Sequence, residues 1–255
     1  MNMHNAFPDT MQMIRRNLLL YFRLPQLVVF SSIQPVMFVL LFVYVFGGAI
    51  NTPGVKYVNY LLPGILVQTV LFGSMMTGIG LAADLSKGII ERFRSLPIWR
   101  GAVLAGRTIS DVIRNIFVIL LMTGVGYAIG YRFQGNFGDA LLALFIMLLF
   151  GFAFSWISAL IGIAVKDVET AQSAGFIWVF PLVFASSIFV PVQTMPDWLE
   201  AFARNNPISH VANVVRSLSL GSTLEKGELW ISFVWMLGLV AVFAPLAIKK
   251  YRKAG

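Results

Sequence analysis

The chain has 255 residues, 58% of them hydrophobic and only 12% charged, with a formal net charge of +8 and no cysteine. This composition excludes an ordinary soluble domain, and the missing cysteines exclude disulfides and thiolate metal sites. It fits one polytopic membrane bundle, so residues 1–255 are read as a single transmembrane domain.

Over residues 1–25 no secretory signal is expected, because the first long apolar run starts late and lacks a small-residue cleavage site. From Asp9 to Leu24, Met11, Ile14, Leu18 and Tyr21 recur at helical spacing against Gln12, Arg15 and Arg16. That pattern predicts an interfacial helix lying in the headgroup layer, with Pro25 turning the chain into the membrane. A first span is predicted from about Gln26 to Phe46. Gly47-Gly48 and Asn51-Thr-Pro-Gly54 make the outer turn, and a second span runs from about Tyr60 to Ala83, with Pro63 in its first turn.

A charged island, residues 84–107, follows on the inner side. Within it lies Gly88-Ile-Ile-Glu-Arg-Phe-Arg-Ser-Leu-Pro97. Ile89, Phe93 and Leu96 recur at helical spacing while Glu91, Arg92 and Arg94 take the remaining surface, so a short amphipathic helix is predicted. Gly88 uncouples it from the preceding span, and Pro97 ends it. Such a helix suits docking into a groove on another protein. A solvated connector whose charges hold topology is the alternative, and the pattern leaves both open.

The third span, about Thr108 to Gly130, carries Asp111 and Arg114 three residues apart, placed to form an intramembrane ion pair near the inner interface. An ion or proton relay would be the sharper reading, but the span holds one acid only. A short outer loop leads to a fourth span, about Ala140 to Val165, and Lys166-Asp-Val-Glu169 turns the chain inside. The fifth span, about Ala171 to Val190, is interrupted by Pro181 and is rich in aromatics, among them Phe176, Trp178, Phe180, Phe184 and Phe189. Phe180 and Phe184, with Gln34 and Gln68 from earlier spans, are candidates for a translocation path. Packing against lipid and neighbouring helices is the commoner role for such residues.

Residues 191–228 form an outer segment with two short amphipathic helices, one from Asp197 and one from Ile208, read as interfacial or re-entrant elements. His210 is expected to be a hydrogen-bonded interfacial residue, since no second histidine or carboxylate cluster accompanies it. The last span runs from about Leu229 to Ile248 and ends in a basic tail.

Charge sets the orientation. Arg15, Arg16 and Arg23, then Lys87, Arg92, Arg94, Arg100 and Arg107, then Lys166, then Lys249, Lys250, Arg252 and Lys253 fall on one side of a six-span topology. Only Lys56, Arg132, Arg204, Arg216 and Lys226 fall on the other. The positive-inside rule therefore places both termini in the cytoplasm, and this distribution points to lipid headgroups and a cytosolic partner rather than nucleic acid.

No Gly-x-x-x-x-Gly-Lys-Ser/Thr phosphate loop, His-Glu-x-x-His zinc pair or Gly-x-Ser-x-Gly nucleophile elbow occurs, so neither ATP hydrolysis by that loop nor enzyme chemistry is expected of this chain. Transport against a gradient then needs a coupled ion, whose carboxylate signature is weak here, or a motor in a separate chain.

Tyr60-Leu-Leu-Pro-Gly64, the Gly88 to Pro97 tract, Pro191-Val-Gln-Thr-Met-Pro-Asp-Trp-Leu199 and Asn206-Pro-Ile-Ser209 together resemble the type-2 ABC exporter permeases, in particular the daunorubicin-resistance (DrrB-like) membrane subunits. The resemblance runs over essentially the whole chain. It implies an all-α membrane fold: six transmembrane helices, an N-terminal interfacial helix, a cytosolic coupling helix and short outer helices between the last two spans. It also implies that Gly88, Glu91, Arg92, Phe93, Arg94, Leu96 and Pro97 couple the permease to a separate ABC ATPase, which would bind ATP and Mg. Pairing with itself or a similar permease, a bacterial cell membrane and export of a drug, lipid or glycan-type amphiphile follow as expectations. Importer permeases carry Glu-Ala-Ala in the corresponding loop, whereas Glu91 here precedes Arg-Phe. The alternative from another class is an ion-coupled carrier or channel working without an ATPase.

Overall fold

The computed structural model describes residues 6–23, 25–50, 52, 54–94, 101–165 and 167–253. The described residues form helices: α1 (Ala6–Arg23), α2 (Pro25–Leu41) running into a π-helical turn at Phe42–Phe46, α3 (Tyr57–Ser86) and α4 (Ile89–Arg94). These are followed by α5 (Ala102–Ala128), α6 (Phe137–Val165), α7 (Val168–Phe184), α8 (Asp197–Asn205), α9 (Pro207–Leu220) and α10 (Lys226–Lys253). Among them α3, α5, α6 and α10 are long and apolar enough to cross a membrane, while the helix ending at Phe46 and α7 are shorter apolar helices.

The bundle is built around α3, which packs against α6, α5, α7 and α9. Its closest crossing is with α6 and depends on glycine. A Cβ on Gly78 would lie 2.1 Å from the carbonyl oxygen of Ser158, and one on Gly162 would lie 2.1 Å from that of Gly78. Hydrocarbon offers no hydrophobic drive for helix association, so this close backbone approach supplies dispersion contact in its place. By contrast, α10 packs on α6 and α9 with one face only and exposes Trp230, Ile231, Val234 and Leu237, as a helix solvated by acyl chains should.

Several sequence expectations change. Pro25 is the first residue of α2, where its fixed φ and missing N–H are tolerated. The third helix starts at Ala102 rather than near Thr108, which brings Arg107 into the span. Helix α7 stops at Phe184 rather than Val190, and the residues after it form turns held against α3 and α9, with Ser187 O and Phe189 O accepting from the Tyr60 and Tyr57 hydroxyls.

The two outer helices also differ from each other. Helix α8 is a surface element with Trp198 and Phe202 exposed, whereas α9 is buried against α3, α6 and α10. Asn206 joins the two and is 2% exposed. Its side-chain oxygen accepts from the Ile208 N–H at 2.9 Å, and its amide nitrogen donates to the carbonyls of Leu182 (2.7 Å) and Ala185 (2.8 Å). One side chain thus caps the start of α9 and the end of α7. Asn206→Ala should lower unfolding stability by about 2 kcal/mol, a lost cap plus two stranded carbonyls, read from thermal melts of the purified protein.

Candidate functional site

At its C-terminal end, α3 closes with the Lys87 N–H donating to Ala83 O, and Gly88 then takes φ +64, a left-handed conformation that glycine adopts without strain. The chain is redirected there into α4, whose first turn is closed by the Arg92 N–H donating to Gly88 O at 3.2 Å. A short helix therefore does stand at Ile89–Arg94. Its anchor is Ile90, 1% exposed and packed in a cluster with Leu81, Leu85, Val103 and Tyr251; the periodicity pointed to Ile89 instead. Arg92 is exposed. The side chains of Glu91, Phe93 and Arg94, and Leu96 and Pro97 altogether, lie outside the described residues.

Helix α1 lies along α5, where Gly106 leaves room for Met13, and its Arg16 pairs with Asp84 of α3 at 3.0 Å. Helix α1, the end of α3 and the start of α5 thus meet around the root of α4. On the inner turn before α7, Asp167 accepts from the N–H and hydroxyl of Thr170, which holds its carboxyl below the usual carboxylate range.

Within the bundle, Asp111 and Arg114 meet as a loose ion pair, Oδ1 to Nη2 at 3.9 Å. The structure adds two partners, one on the same helix and one on α3. Arg107 approaches Asp111 Oδ2 at 3.8 Å, and the Thr77 hydroxyl of α3 donates to that oxygen at 2.5 Å. Arg114 in turn donates to Gly73 O of α3 at 2.5 Å. This network is a tie between α3 and α5.

Arg114 also lines a pocket of about 90 Å³ between α2, α3, α5 and α7, together with Gln34, Gln68, Asn115, Phe72 and Phe176. Gln34 and Gln68, far apart in sequence, thus share one cavity. Gln68 is 4% exposed, and its Oε1 has no hydrogen-bond partner. Phe180 and Phe184 do not line this pocket. They extend from it: ring centroids step from Phe176 to Phe180 (5.3 Å), to Phe184 (5.7 Å), to Phe189 (5.2 Å) and to Phe42 (4.5 Å). The result is an aromatic strip from the pocket toward the outer end of α7.

The C-terminal end of α7 lies near two buried polar groups of α9. Arg216, counted in the sequence as a loop charge, is buried; its guanidinium stacks 3.8 Å over the Tyr60 ring and donates to Tyr60 O (2.9 Å), Ser187 O (2.7 Å) and Asn213 Oδ1 (2.9 Å). His210 is likewise buried and is hydrogen-bonded as expected, but a carboxylate does accompany it: its Nδ1 lies 2.5 Å from Oε2 of Glu228 on α10. Only the docking of α9 against α3 and α10 makes either partner visible.

Comparison with known proteins places this geometry. The model of the ABC-2 type transporter family matches residues 8–220. The daunorubicin resistance ABC transporter permease protein DrrB1 of Streptomyces coeruleorubidus is 35% identical over 247 residues, which span 97% of this chain and 87% of that protein. The probable doxorubicin resistance ABC transporter permease protein DrrC of Mycobacterium tuberculosis is 25% identical over 76% of this chain and 70% of its own length. The probable multidrug ABC transporter permease YbhR of Escherichia coli is 21% identical over 79% and 54%.

Proposed function

The chain belongs to the ABC-2 type transporter family, and from that premise we propose how this ABC exporter permease is energised and where its substrate passes. A separate cytosolic ATPase docks on α4 and binds ATP with Mg, the chain itself having no phosphate loop. The observation that carries this reading is the match to permease subunits of resistance transporters over nearly the full chain, joined to a short helix redirected by Gly88 out of the end of α3. It disfavours the carrier or channel that works without an ATPase.

In this reading α2 with its π turn and α7 complete six crossings, both termini are cytoplasmic, and the membrane is a bacterial plasma membrane. Two permeases, identical or similar, face each other across the pocket and the aromatic strip, and the substrate is an amphiphile of the drug, lipid or glycan type. Closure of the two ATPases shifts α4, and with it the root shared by α1, α3 and α5, so that the path alternates between inward-open and outward-open states. Gln34 and Gln68 contact the substrate at the pocket, and Phe180 and Phe184 guide its apolar part outward.

A crosslinker at Phe93 should label a nucleotide-hydrolysing protein from the cytoplasmic side. Glu91→Ala and Arg94→Ala should leave the permease in the membrane while weakening ATPase binding by about tenfold and reducing transport-coupled hydrolysis accordingly, as loss of an interface anchor does. Wild-type binding and hydrolysis in both variants would remove α4 from the coupling role.

A further inference from the structure

We propose that the pocket below the aromatic strip sorts amphiphiles by the sign of their polar end, accepting an anionic group such as a carboxylate, sulfonate or phosphate and disfavouring a cationic one. This rests on reading the pocket as part of the export path, and it names the substrate class for that site.

The charge balance carries the argument. Among the described residues, Arg114 is the charged group that lines the pocket and no acidic side chain does; the Asp111 carboxylate that Arg114 meets at 3.9 Å is shared with a second guanidinium, Arg107, at 3.8 Å. The local charge is therefore positive. Asp111 and Arg114 are 2% and 8% exposed, so bulk water and salt screen this charge little. A low-dielectric crevice of one sign focuses the field on whatever enters it.

The shape of the site agrees. Gly73 lets the polar groups approach: a Cβ there would lie 2.5 Å from Asn115 Oδ1 and 2.9 Å from Arg114 Nη2. Gly151 does the same on the other side, where a Cβ would lie 3.1 Å from Asn115 Nδ2. Two small residues thus hold the amide and the guanidinium at the pocket wall. Gln68 offers a buried amide whose oxygen is unpartnered, and half a turn about its last bond presents the NH₂ as a donor instead. Phe72 and Phe176 supply an apolar wall for the rest of the ligand. Guanidinium plus amide donors beside an aromatic wall is a set matched to an anionic amphiphile.

The test uses the permease with its ATPase in phosphatidylcholine nanodiscs, titrated with a matched pair of probes, 11-(dansylamino)undecanoate and 11-(dansylamino)undecyl-trimethylammonium. Saturable tryptophan-to-dansyl energy transfer is read against empty nanodiscs. The wild type should bind the anion at least about tenfold more tightly than the cation. Arg114→Gln should remove that preference by weakening the anion only, and Arg114→Lys should keep it. Gln34→Glu, at an exposed position that does not depend on core packing, cancels the excess charge and should likewise abolish it, and it decides the matter should Arg114→Gln fail to fold. Equal or cation-preferring binding in the wild type, or a ratio unmoved by Gln34→Glu, would overturn the proposal. ATP-driven transport with no charge preference would overturn this site and leave export intact. A clear anion preference in a complex that ATP cannot drive would establish the site while sinking the export path on which it was built.

Discussion

Asp111→Asn should be the most damaging single substitution in the bundle, lowering stability by about 3–5 kcal/mol. Asp111 is 2% exposed and faces Arg107 and Arg114. Removing its charge takes away the carboxylate that both guanidinium groups face in the low-dielectric interior, while the neutral amide keeps the hydrogen bond from Thr77. A loss of that size is a large share of the 5–15 kcal/mol that holds a typical domain folded. It should appear as a sharply lowered melting point in detergent and as reduced accumulation in the membrane. Adding Arg107→Met to Asp111→Asn should restore part of the loss, because one of the two stranded charges goes with it. Wild-type melting of Asp111→Asn would mean that the network carries no net ionic stabilisation.

Gly78→Leu comes second. The Cβ would sit 2.1 Å from a backbone oxygen of α6, and backbone cannot swing aside as a side chain can. The helices must separate along the most intimate contact in the fold, at a cost of about 3 kcal/mol or more. Gly162→Leu should behave alike, since its Cβ would meet Gly78 O at the same distance. Gly124→Ala and Gly238→Ala serve as controls: a Cβ at either meets nothing within 4 Å, and alanine there should be neutral or stabilising by up to about 1 kcal/mol. Melting temperatures of the four variants in one detergent check the contrast. Equal effects at Gly78 and Gly124 would place the stability of the bundle elsewhere.

The fold was legible where one helix suffices to read it. Apolar runs of membrane-spanning length marked α3, α5, α6 and α10, and Gly88 with the charges after it marked the redirected helix α4. The Asp111–Arg114 pair was legible too, because residues three apart on a helix share a face. Thr77 and Arg107 were not added to it: the first lies on another helix, and the second depended on where α5 begins. Gln34, Gln68, Phe180 and Phe184 were chosen by type alone. The structure separates them into two in the pocket and two on the strip above it, a distinction set by which helix faces which.

The partners of His210 and Arg216 were not legible for a related reason. Between two predicted spans, a histidine reads as a hydrogen-bonded interfacial residue and an arginine as a loop charge, and only the docking of α9 identifies Glu228 and the carbonyls of Tyr60 and Ser187 as their partners. Amphipathic spacing is compatible with either placement, since a re-entrant helix that satisfies its polar side chains internally has the same periodicity as one lying on the surface.

By itself, then, the sequence determined that this chain is a helical membrane protein, which segments are apolar enough to span, and where a charged helix interrupts them, because hydrocarbon forces each spanning segment to satisfy its own backbone. Only the tertiary structure decided which polar groups share a cavity, which arginines are buried and which glycines let two backbones touch, because those properties belong to pairs of helices that sequence distance does not relate.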